Sequence, residues 1–174
     1  MLIDLTPAQI EEAVAYGKAK KDATVLEFVK EWVADLGPEV GYATIDTRSK
    51  EIARVARRLV KEGKELSPEG ARTILGGMSS VNLNFSITVY GSTPDFAENY
   101  KVVLKYQGKF ISPSYESIPW VARERLNGIP GYVITCISVF PIKEIDINSK
   151  VTLELLEPPE KEILEFTFDL SKIR

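Results

Sequence analysis

Between Phe110 and Gly128 the chain gathers Tyr115, Trp120, Arg123 and Arg125 into the stretch "FISPSYESIPWVARERLNG". Aromatic rings beside guanidinium groups are what a site for a carboxylate, a phosphate or a sugar uses. The ring offers a π face and the guanidinium a planar fork of donors. The stretch is long for a connection between strands, and long ordered loops often carry function. A structural reading competes with this one. In it Ser117 caps a short helix with Pro119 in its first turn, and Trp120, Val121 and Leu126 close one end of a β domain.

Two other stretches have residue types that could do chemistry. "RSKEIARVARRLVKEGK", Arg48 to Lys64, is the most strongly charged part of the chain, and its local positive charge could hold a phosphate or an anionic surface. It also carries an apolar stripe of Ile52, Val55, Ala56, Leu59 and Val60, so one side faces a core. Its cations are then expected to meet Glu11, Glu12, Glu27, Glu31 and Asp35. No Asn, Gln or aromatic residue is interleaved to read or stack on bases, and nucleic-acid binding is not expected. In "KEIDINSK", Glu144, Asp146 and Asn148 alternate like oxygen ligands of a calcium loop, but without the glycine and distal glutamate of an EF-hand. The expectation there is a strand with Ile145 and Ile147 inward, and no metal.

Composition removes whole classes of mechanism. The 174 residues include no histidine, so neither Ser-His nor Cys-His catalysis is available and no imidazole can ligate a metal. The single cysteine, Cys136, excludes an intramolecular disulfide, and in the apolar run "GYVITCISVF" it is expected to be a small buried hydrophobe. "GGMSS" lacks the lysine and second glycine of a phosphate-binding loop and precedes a strand. Paired carboxylates for glycoside chemistry and Ser-Lys chemistry stay open, with nothing to single out a pair. A net charge of -3 argues against a polyanion partner. No cofactor is implied.

The elements that must position these residues come in two kinds. "LTPAQIEEAVAYGKAK" opens on Thr6, Pro7 and Gln9, a capping box with proline at the first helical position; Ile10, Ala13, Val14 and Gly17 share a face. "DATVLEFVKEWVADLG" places Val25, Phe28, Val29, Trp32, Val33 and Leu36 at helical spacing, with Gly37 and Pro38 as the stop. The basic stretch is a third helix started by Asp46 or Thr47, and "LSPEGARTILGG" a fourth with Ser67 as cap.

Beyond Gly76-Gly77 the period becomes two. "VNLNFSITVY" alternates Val81, Leu83, Phe85, Ile87 and Val89 against polar residues and Tyr90. "NYKVVLKYQGKF" is a second strand, "GYVITCISVF" a central one, and "VTLELLEPPEKEILEFTFDL" a closing hairpin about Pro158-Pro159. The predicted fold is α+β. An N-terminal segment of about four helices, residues 1–77, leads into a mainly antiparallel β-sandwich over 78–174. An immunoglobulin-like version would lack the buried Trp and paired Cys of that fold.

The stretches "LTPAQIEEAVAYGK", "YATIDTRSKEIARVARR" and "ELSPEGARTIL" resemble uncharacterised bacterial exported proteins, and the resemblance implies export. Asp4 interrupts the start and no apolar run of signal-peptide type follows; an extracytoplasmic home fits if an export signal was removed ahead of Met1. No apolar run reaches the ~20 residues of a membrane-spanning helix. The functional expectation is a non-catalytic interaction or scaffolding module with an unknown protein partner. The alternative is a small-molecule or carbohydrate binder, or a hydrolase, using residues 110–128.

Overall fold

The computed structural model describes residues 5–78, 81–117, 120–126, 129–157 and 161–173. The chain folds as two compact units, one of Met1–Trp32, Asp46–Val81 and Ile173–Arg174, the other of Val33–Ile45 and Asn82–Lys172.

The first unit is helical. Helix α1, Pro7–Ala19, begins on the expected capping box: the Thr6 side chain accepts from the Gln9 N–H, and the Gln9 side chain accepts from the Thr6 N–H at 2.9 Å. A second capping box, Thr24 with Glu27, starts α2, but this helix runs only over Val25–Val29. Helix α3, Arg48–Lys61, is capped by Thr47 and buries Ile52, Ala53, Val55 and Ala56. Helix α4, Pro68–Gly76, is capped by Ser67. Ala13, Ile52 and Ala71 form the centre of a core on which Leu5, Ile10, Val14, Leu66, Ile74 and Leu75 pack. A satellite cluster joins Tyr16, Phe28 and Trp32, with Tyr16 and Trp32 edge to face, the other two ring pairs tilted, and the Tyr16 hydroxyl donating to the Phe28 carbonyl at 2.8 Å.

The second unit is built of antiparallel strands. Among the described residues these are β1 (Val33–Asp35), β2 (Gly41–Asp46), β3 (Asn82–Gly91), β4 (Lys101–Tyr106), β5 (Lys109–Ile111), β6 (Tyr115–Glu116), β7 (Trp120–Leu126), β8 (Ile129–Pro141), β9 (Lys150–Glu157) and β10 (Lys161–Asp169). They form a six-stranded sheet of order β1-β2-β3-β8-β6 with β7 also on β8, and a four-stranded sheet of order β10-β9-β4-β5. The alternation of β3 holds from Leu83 to Val89, with Leu83, Phe85, Ile87 and Val89 buried, but Val81, expected on the same inward face, precedes the strand and is exposed, and Thr88, expected outward, is buried. The Phe85 ring meets Phe140 of its own sheet at 5.9 Å and Phe168 of the other at 5.1 Å, so the two sheets share an aromatic contact.

The predicted helical segment followed by a β-sandwich needs correction on two points. The helices are not one N-terminal block, because β1 and β2 lie in sequence between α2 and α3. The strands also do not assemble as an immunoglobulin-like sandwich of residues 78–174, since β3 lies in the larger sheet between β8 and β2, the latter drawn from within the helical region.

The expected long second helix fails for a local reason. After Val29 the Trp32 N–H bonds the Val29 carbonyl, and Val33-Ala34-Asp35 pair with Thr44-Ala43-Tyr42. The Asp35 carboxylate then accepts from the Gly37 N–H, and Gly37, at φ 104°, turns the chain into β2. The second expected strand is likewise divided. Gln107 and Gly108, at φ 49° and 77°, make a two-residue hairpin between β4 and β5.

Candidate functional site

The stretch that carries Tyr115, Trp120, Arg123 and Arg125 folds as strands along one edge of β8, with Ser117 in no helix. Its Pro119 lies outside the described residues, as does the Pro158-Pro159 turn. Tyr115 and Glu116 pair with Val139 and Ser138; from Trp120 to Leu126 the partners run from Thr135 to Ile129. Ser117 bridges the two segments. Its N–H donates to the Ile137 carbonyl and its hydroxyl accepts from the Ile137 N–H, each at 2.8 Å. A side chain thus supplies the ladder acceptor where the strand is interrupted.

That interruption shifts the register by one residue, and the shift decides which residues share a face. Residues directly opposite on paired strands lie on the same side of a sheet. Tyr115, opposite Val139, and Trp120, opposite Thr135, therefore take positions on one face, together with Ile137. Arg123, opposite Tyr132, and Arg125, opposite Pro130, take positions on the other. The structure brings the two aromatic positions together and separates them from the two arginines. Tyr115 is 59% exposed and Ile137 43%. Across β8 on the same face stand Asn84 and Ser86 of β3, opposite Val139 and Ile137. The side chains of Trp120 and Arg125 are outside the described set. The exposed Arg123 lies with its guanidinium 5.8 Å from the Tyr132 ring centre, a cation–π contact.

The opposite face carries a hollow of about 360 Å³, lined by Pro94, Asp95, Ala97, Glu98, Val121 and Ile134. Its charges are the two carboxylates. Nearby on that face Glu116 stands opposite the buried Ser138, whose hydroxyl has no partner among the described residues. Glu116 is itself exposed, and partial desolvation of its carboxyl against the sheet raises it above its ordinary value. Cys136 is 6% exposed; burial, and to a lesser degree the Glu116 charge, push its thiol up to about 12. That is the environment of an inert cysteine.

Three cations of α3 have partners besides the acids expected of them. Lys50 reaches Asp46 at 2.6 Å and Arg54 clasps Glu51 of its own helix. Arg57 donates to the Lys21 and Ala23 carbonyls and covers the Phe28 ring at 4.7 Å. Sequence pattern showed the cations but not these tertiary acceptors, which are backbone groups or local acids. The "KEIDINSK" stretch is a 3-10 turn, Ile142–Glu144, followed by a loop; Asp146 accepts from the Asn148 backbone and side-chain amides. Up to Ser149 this is not the expected strand: Ile145 is buried as expected but Ile147 is only half-buried, and the Glu144 side chain lies outside the described set. Among the described residues no group of three potential metal-ligating Cys, Asp or Glu side chains converges.

Sequence reasoning missed a groove in the helical unit. It has a volume of about 350 Å³ and runs between α1 and α4, floored by Ile10, Val14, Leu66 and Ala71. Glu11 and Lys18 stand on its α1 wall and Arg72 on its α4 wall. The only signal in the sequence was a half-apolar α1 with Val14 and Ala15 adjacent, which does not say what faces it.

No protein-family model, curated protein or solved structure significantly matches the chain. Among the described residues no helix is long and apolar enough to cross a membrane.

Proposed function

We propose that the protein is a non-catalytic interaction module that presents the Tyr115–Ile137 face of its larger sheet to a partner protein. One observation carries this reading: an aromatic and a β-branched apolar side chain stand exposed together on a strand-paired surface. Interfaces are enriched in aromatic residues, and anchors on paired strands lose little entropy on docking. Asn84 and Ser86, half-buried beside them, supply the polar rim such a patch needs. The lack of histidine agrees with a binding role. Export, suggested by the resemblance of the helical segments, belongs to the same proposal.

The alternative ligand site needed both aromatic rings and both arginines around one pocket. Register gives Arg123 and Arg125 to the face opposite Tyr115, so support for that arrangement is weaker.

The test is quantitative cross-linking of the protein with extracts of its source cells, comparing wild type with Tyr115→Ser/Ile137→Ser. Val25→Ser serves as control, because Val25 is 63% exposed but lies on α2. A partner lost by the double variant, kept by the control and then bound by the purified protein supports the reading. Equal partner sets for all three proteins, with unchanged circular dichroism, would sink it.

A further inference from the structure

We propose that the α1–α4 groove is a second, independent site that binds a medium-chain amphiphilic carboxylate, apolar tail in the groove and head group on Arg72. At about 350 Å³ the groove falls within the size range of small-molecule sites. Its floor of Ile10, Val14, Leu66 and Ala71 offers a tail only apolar atoms to replace water. These side chains belong to, or pack on, the core that fixes α1, α3 and α4, so the floor is held from behind.

Charge around the rim selects the head group. Lys18 is already engaged, its ammonium 2.7 Å from Glu65. Arg72 is exposed and has no hydrogen-bond or ion-pair partner among the described residues. A guanidinium in that state offers a carboxylate a two-bond fork at the edge of an apolar surface. Glu11, on the facing α1 wall, repels the same head group and so draws it to the α4 side. A neutral amphiphile would gain the floor but neither charge effect. The Ser67 hydroxyl does not compete for the head, since it caps α4 by accepting from the Gly70 N–H at 3.0 Å.

The experiment uses the full chain and a neutral fluorescent probe, N-phenyl-1-naphthylamine, displaced by decanoate or by decanol. The probe should brighten on binding, and Ala15→Trp, which places a ring over the groove from an exposed position, should abolish this. Decanoate should displace it roughly fivefold more effectively than decanol, a margin of about 1 kcal/mol. Arg72→Gln should remove that margin and Glu11→Gln should widen it, both leaving probe and decanol binding unchanged. Equal displacement by the two ligands, indifferent to position 72, overturns the head-group assignment. No probe binding, or binding that survives Ala15→Trp, overturns the site itself. Neither result touches the sheet-face reading, which rests on a different unit.

Discussion

Gly17 of α1 lies against the Ala53 carbonyl of α3 so closely that the Cβ of any other residue would fall on that oxygen. A second approach, to the Ala53 carbonyl carbon and the Ala56 side chain, leaves no direction in which α1 could give way without lifting off its neighbour. Gly17→Ala therefore separates two opposed effects. Helix propensity favours alanine by roughly 1 kcal/mol, whereas overpacking a helix contact costs about 1–3 kcal/mol. Destabilisation is expected, read as a lower urea midpoint with unchanged slope. A more stable variant would show that the helices do not meet at this glycine.

Cys136 should be unreactive in the folded protein. Burial leads the causes that push its thiol up to about 12, so at pH 8 almost none is thiolate, the form that attacks a disulfide reagent. The sign follows from the raised folded-state value. The contribution to stability is complete below the ordinary thiol range and is lost as pH rises towards about 12. Ellman's reagent should report close to no thiol in buffer and one per chain in denaturant. Prompt labelling in buffer would mean that β8 opens locally.

Much of the architecture can be read from short windows, because the physics there is local. Thr6 with Gln9 and Ser67 with Pro68 mark helix starts by side-chain capping, and the alternation from Leu83 to Val89 needs only one buried face. β1 and β2 are different. Val33-Ala34-Asp35 continues a helical apolar pattern just as well as it makes a strand, and pairing with Tyr42 to Thr44 decides between them. The site shows the same limit. Tyr115 and Trp120 are five residues apart, which in an unbroken strand sets them on opposite faces. A one-residue slip, spanned by the Ser117–Ile137 hydrogen bonds, returns them to one face. No spacing rule contains that slip, since it is fixed by the partner strand.

Glu154 is an ionisable side chain only 2% exposed, and its recorded ion pair is with Lys105 at 2.8 Å. Lys105 is itself 42% exposed, so its ammonium keeps part of its water while the carboxylate does not. The pair is unequal. Lys105→Met should cost about 1–3 kcal/mol, because it leaves a buried carboxylate without its counter-charge. Lys105→Met/Glu154→Gln, which removes both charges, should recover most of that loss. A thermal-unfolding double-mutant cycle measures the coupling, and a value near zero would mean that other groups solvate Glu154.

Glu116 and Cys136 stand on one face of the larger sheet, and the carboxylate's charge is one cause of the raised thiol value. Partial desolvation raises the Glu116 carboxyl itself. A carboxyl raised in the folded state stabilises only while protonated; as pH climbs through its folded value, that benefit disappears and the ionised form opposes folding. Glu116→Gln should therefore raise the melting temperature at neutral pH and leave it near wild type at about pH 3, where carboxyls are protonated in both states. The gain is small because Glu116 is an exposed residue and water screens most of the effect. The same substitution removes a negative neighbour from Cys136, so slow alkylation of the folded protein should begin at lower pH than in wild type. Both shifts are required together. A melting temperature raised equally at both pH values would mean the gain comes from packing, and an unmoved alkylation profile would mean that the two side chains do not feel each other's charge.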